Sequence, residues 1–183
     1  TYVEGIHASG TSGFVVNVSD NNGARYSVDK QGYAEQTAGF YTEGTDLIWR
    51  SPDDPSISIV LNDTKPQNNN GSPGNVNGYQ FEDLADGNIA VSWGAAVVKE
   101  IAPGYFDGIQ DVYVRVFDPK TGSFITDEIN VTNGDVTTYV EGIHASGTSG
   151  FVVNVSDNNG ARYSVDKQGY AEQTAGFYTE GTD

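Results

Sequence analysis

The sequence predicts an all-β fold: an antiparallel Greek-key or jelly-roll-like sandwich with about ten strands in each 137-residue repeat. Three observations carry this. Nearly every apolar run is of strand length, rich in β-branched and aromatic residues, and bounded by Gly, Asn, Asp or Pro. No segment repeats apolar residues at helical spacing. The chain also copies itself at a domain-sized period, residues 1–46 recurring without a substitution as residues 138–183, 137 positions on. The same pattern of short strands suits a propeller-like hairpin array as the alternative.

A period of this length can bury its own core, unlike the short repeats of a solenoid. Residues 1–137 read as one full repeat and 138–183 as the start of the next. In the alternative cut, residues 1–46 end one unit and 47–183 form a complete one.

In chain order, Tyr2–His7 and Phe14–Ser19 open the predicted strands, and Asn21-Asn22-Gly23 is a tight-turn signal leading into Arg25–Asp29. Lys30-Gln31-Gly32 turns the chain into Tyr33–Phe40, after which Leu47–Arg50 and Ser56–Leu61 flank a Pro- and Asp-rich turn. Lys65–Asn77 holds a single apolar residue, Val76, and reads as a long polar loop. Tyr79–Glu82 and Ile89–Trp93 follow. Gly94–Gly108 reads as a second long connection, apolar enough to cover a sheet edge or meet a neighbouring unit. Val112–Phe117 and Phe124–Val131, joined through Lys120-Thr121-Gly122, complete the period.

Cysteine is absent, which excludes disulfides, thiolate metal sites and thiol catalysis. The net charge is −16, and residues 1–137 contribute 7 basic against 19 acidic residues. Nucleic acid, which needs basic patches, is therefore not an expected partner. Like charge repeated along an array keeps it extended and soluble. No run is long and apolar enough to predict a membrane span.

Residues 84–93 (LADGNIAVSW), 111–124 (DVYVRVFDPKTGSF) and 127–133 (DEINVTN) resemble repeats of bacterial secreted and cell-surface tandem-repeat proteins, of the giant adhesin or extracellular fibre type. The chain departs from that pattern by inserting WGAAVVKEIAPGYFDG where a short polar turn is usual. The resemblance implies export to the cell surface, tandem arrangement, and an adhesive or matrix role. It brings no catalytic residues with it.

The residues themselves point away from an enzyme. His7, repeated as His144, stands among small residues without triad or ligand spacing. Calcium is the more natural use for the clustered acids, since a hard cation gathers carboxylate, amide and backbone oxygens at loops. The candidate ligands are Asp20 with Asn22, Asp83 with Asp86 and Asn88, and Asp107 with Asp111; taken singly, each cluster reads better as a structural turn. Trp49, Trp93 and Tyr105 are candidates for stacking on sugar rings. Asn17, Asn62, Asn130 and Asn154 head Asn-x-Ser/Thr sequons, acceptors in a glycosylating host. The expected function is a structural repeat of an extracellular fibre or surface adhesin whose partner is its own neighbouring repeat, engaged by strand sharing. The alternative is a calcium-dependent adhesin module that binds carbohydrate.

Overall fold

A computed structural model describes residues 2–9, 13–19, 25–29, 39–54, 56–146, 150–158 and 162–166. It is all-β and antiparallel, as the patterning predicts, and among the described residues every regular element is a strand. The chain divides into two compact units, the first formed by Thr1–Asp63 with Lys120–Gly122 and the second by Thr64–Pro119 with Ser123–Asp183.

In the first unit, β1 (Tyr2–Ser9), β2 (Gly13–Ser19) and β3 (Arg25–Asp29) pair in sequence as a three-stranded sheet. A second sheet joins β4 (Gly39–Glu43), β5 (Asp46–Arg50) and β6 (Ser58–Val60). The strand predicted at Tyr33–Phe40 enters the described residues only at Gly39. Gly44 takes a positive φ of 59° in the tight β4–β5 turn. Among the described residues of this unit, Phe40, Leu47, Ile48, Trp49 and Leu61 are the buried apolar side chains. Asn62 is buried beside them, accepting from the Leu47 amide at 2.6 Å and donating to the Thr45 carbonyl at 2.9 Å.

The second unit is built on β7 (Asn77–Asp83), β8 (Ile89–Ala102), β9 (Tyr105–Asp118) and β10 (Ser123–Phe124), hydrogen-bonded in chain order, with β11 (Ile129–Asn130) also pairing with β9. Opposite lies a sheet of β12 (Thr138–Ser146), β13 (Gly150–Asp157) and β14 (Arg162–Asp166), with β12 packed on β7, β8 and β9. The core between them follows strand alternation. Val112, Val114 and Val116 come from one face of β9, and Phe151, Val153 and Val155 from one face of β13, with Leu84, Ala90, Val131 and Ile143 filling in. Burying each such side chain contributes about 1.5 to 3 kcal/mol.

Two expectations are corrected. The stretch 94–108 is no connection: β8 and β9 run 14 residues each and pair from Ile89↔Phe117 to Ala102↔Tyr105, with one register shift between Glu100 and Ala102, closing at Pro103-Gly104. Backbone pairing continues past the sheet because no residue between Gly94 and Ala102 lacks an amide donor. The strand predicted at Phe124–Val131 is split. Phe124 pairs with Phe117 and Ile129 with Val114, so five steps of chain oppose three and the excess bulges out. Thr126 holds the bulge, its hydroxyl accepting from the Val116 amide at 3.0 Å while Glu128 turns aside to receive the Thr64 amide at 3.1 Å.

Candidate functional site

The long β8–β9 hairpin forms an arm with a buried polar root and an exposed apolar tip. Its flank is the polar loop predicted at Lys65–Asn77. There the Gln67 amide donates to the Ala96 carbonyl at 2.7 Å, and Gln67 Oε1 accepts from the Val98 amide at 3.2 Å. Asparagine side chains replace an apolar core inside this loop. Asn68 Nδ2 donates to the Pro73 carbonyl at 2.8 Å, and Asn70 Oδ1 accepts from the Ser72 amide at 3.0 Å.

At the root, Asp111 is fully buried. Its Oδ2 accepts from Lys99 Nζ at 2.6 Å and Asn130 Nδ2 at 2.9 Å, and its Oδ1 from Thr132 Oγ1 and the Gly134 amide, both at 3.2 Å. Lys99 also donates to the Gly134 carbonyl at 2.8 Å. The network continues to the first residue of the second copy: Thr138 Oγ1 donates to Thr132 Oγ1 at 2.9 Å, and Gln110 Nε2 donates to the Thr138 carbonyl at 2.7 Å. The carboxylate thus fixes where the copied segment enters the sandwich. Next to it Tyr113, stacked on Trp93 with ring centroids 6.1 Å apart, is pushed up to about 12, first by burial and then by the charge of Asp111.

At the tip, Ile101, Tyr105 and Phe106 are all exposed, with Glu100 among them. Three large apolar side chains on one hairpin end form a surface with contact chemistry, whereas exposed apolar residues scattered singly need no explanation.

The predicted site residues separate accordingly. Asp107 and Asp111 lie on a continuous strand rather than in a loop. The lone pairs of Asp111 are spent on Lys99, Asn130, Thr132 and Gly134, so a calcium role for it is corrected: lysine supplies the positive charge. Asp107 Oδ1 accepts from the neighbouring Gly108 amide at 2.8 Å. Asp83, Asp86 and Asn88 frame the tight β7–β8 turn, in which Asp86 Oδ1 accepts from the Asn88 amide at 3.0 Å and the Leu84 amide donates to the Asn88 carbonyl. Asp20 and Asn22 lie outside the described residues. Among the described residues no three His, Cys, Asp or Glu side chains gather in a metal-holding group.

Trp49 and Trp93 are 3% and 0% exposed, which corrects their assignment as sugar platforms: each is core. Tyr105 is 60% exposed, at the arm tip. Asn62 is corrected as a glycosylation acceptor, since its amide is buried and donates within the fold. Asn130 is half-buried, its amide nitrogen donating to Asp111 and its Oδ1 accepting from the Thr132 and Asn133 amides. Asn154 is half-buried in β13; the backbone of Asn17 lies in β2, and its side chain is outside the described residues. His144 is exposed. Reading the sequence missed Lys99, Thr132 and Thr138. Lys99 was the legible one, as the one cation in the apolar run AAVVKEIA.

Among the described residues no helix is long and apolar enough to cross a membrane. No family model, curated protein or solved structure matches the chain.

Proposed function

We propose that the chain is a stretch of an extracellular fibre or surface adhesin built from tandem all-β repeats, in which each repeat is completed by strands of the next. The observation that supports this reading most is the composition of the second unit's core. Val112, Val114, Val116 and Val131 belong to the first 137 residues, whereas Ile143, Phe151, Val153 and Val155 belong to the copied segment. A sandwich core shared across the sequence junction ties successive repeats by the hydrophobic effect itself, with no need for a cross-link. The acidic charge supports the same reading, because units of one sign repel and hold an array extended.

Chains carrying one, two and three repeats test the proposal by small-angle X-ray scattering. The expected outcome is a maximum dimension that grows by a constant increment per repeat, with single-particle images showing a rod of that axial period. Compact or flexibly jointed particles would reject it. A glycan titration with and without chelator on the same chains separates the carbohydrate-binding alternative, which requires saturable, calcium-dependent binding.

A further inference from the structure

We propose that Lys99, Asp111 and Asn130 form a self-cross-linking centre, in which the lysine amine displaces ammonia from the asparagine carboxamide and leaves an isopeptide bond between Lys99 Nζ and Asn130 Cγ. The bond lies wholly within one repeat and joins β8 to β11 across β9, so it neither requires nor replaces the core shared across the junction.

The strand order brings the three groups together. β9 lies between β8 and β11, and each strand contributes one group, with the carboxylate on the middle one. Lys99 Nζ and Asn130 Nδ2 donate to the same oxygen, Asp111 Oδ2, at 2.6 and 2.9 Å, which puts amine and carboxamide within two hydrogen-bond lengths of each other. The carbonyl side is prepared as well. Asn130 Oδ1 accepts from the Thr132 amide at 3.2 Å and the Asn133 amide at 2.9 Å, two donors aimed at the atom on which negative charge develops when a carboxamide is attacked. The turn that supplies them is tight: Asn133 holds φ at 34°, the one positive value at a non-glycine among the described residues. Neutralising Asp111 needs only the lysine. An asparagine on the same oxygen, its carbonyl held by two amides, is the further feature that acyl transfer requires.

The reaction balances without an oxidant, reductant or co-reactant. Asp111 takes a proton from the Lys99 ammonium along their hydrogen bond, and the freed lone pair attacks Asn130 Cγ. The negative oxygen of the tetrahedral intermediate stays on the Thr132 and Asn133 amides. Asp111 then gives its proton to Nδ2 as the Cγ–Nδ2 bond breaks, and takes a second from Nζ as the new amide forms. That second proton departs with ammonia as ammonium. Aminolysis of an amide is slow in water, so the acceleration falls to proximity and to the exclusion of solvent. The Asp111 side chain is 0% exposed and that of Lys99 only 22%, which leaves little water to compete with the amine.

Mass spectrometry of the 183-residue chain, held folded and then denatured, reads the bond directly. The expected mass is below that of the sequence by about 17 Da, the mass of ammonia. Trypsin should no longer cleave after Lys99, and the fragment that ends at Arg115 should stay joined to residues 121–162. Lys99→Arg and Asp111→Asn should each show the full mass of their own sequence. The parent at full mass, after a day in conditions where circular dichroism shows it folded, overturns the proposal without recourse to any variant. So does a loss of ammonia with cleavage after Lys99 intact, the signature of a succinimide at an Asn-Gly step. A loss of about 18 Da, the mass of water, with Lys99 joined to Asp111 overturns it too. A cross-linked Asp111→Asn would overturn the part given to Asp111. Should that variant fail to fold, the linked fragment of the parent still decides the matter.

Discussion

Asp111 and Lys99 bear most directly on stability among the polar residues, because a carboxylate at 0% side-chain exposure has been stripped of water and matched by one ammonium at 2.6 Å. Removing only the cation leaves the anion buried and under-solvated, the costly way to break such a pair. Lys99→Met is expected to lower unfolding free energy by about 3 kcal/mol, read as a shift in the urea midpoint. Asp111→Asn, which removes the charge but keeps an acceptor, should cost less, and an unchanged midpoint in Lys99→Met would contradict the assignment. Tyr113 gives a pH signature. Its phenol holds its proton up to about 12, against a reference of 10.0 in an unfolded chain. Between those values the unfolded state binds fewer protons than the folded one, so stability falls as pH rises through that window, by roughly 1 to 2 kcal/mol. Tyr113→Phe should flatten the slope of unfolding free energy between pH 10 and 12; a slope equal to the parent's would remove Tyr113 as the cause.

Beyond its root the β8–β9 arm pairs within the hairpin among the described residues, and its apolar side chains Ile101, Tyr105 and Phe106 face solvent. Gly104 turns it with φ +75° and open space where a Cβ would stand, so a substitution there strains the backbone without a clash. Gly104→Ala should cost about 1 kcal/mol, confined to the arm. Amide exchange across Glu100–Phe106 is expected to accelerate by roughly five-fold while the global melt stays put, because local opening is independent of the core. A matching fall in global stability would mean that the tip is part of the cooperative unit. The arm was legible in outline. Pro103-Gly104 is a turn signal between two β-rich runs, but an apolar run of this kind suits a connection covering a sheet edge as well as it suits a strand. Strands β1, β2, β3, β5 and β7 were legible to within a few residues, since alternation and turn chemistry are local. The tryptophans and Asp111 were not, because whether an aromatic or an acid is buried depends on which distant strand lies over it. Asn130 shows the same limit: its sequon is local, while its bond to Asp111 spans two strands.

For the whole molecule, the duplicated segment permits an internal control that few proteins offer. Val153→Asp places a charge in a closed core and should destabilise the second unit by at least about 3 kcal/mol. Val16→Asp, the same change in the same local sequence, should cost less than about 1 kcal/mol in the 183-residue chain, since the side chain is only half-buried. Calorimetry of the two variants measures the difference, and equal losses would show that both faces are covered. The core that spans the junction also sets the order of events as the polypeptide is made. Val112, Val114 and Val116 leave the ribosome before Phe151, Val153 and Val155 exist, so the newest sandwich stays open until the following repeat has begun. On the proposed reading, a growing array would carry one unfinished unit at its synthetic end. In such an array the nearest finished copy of the missing strands would already be seated upstream, so vectorial synthesis would guard against mispairing between identical repeats.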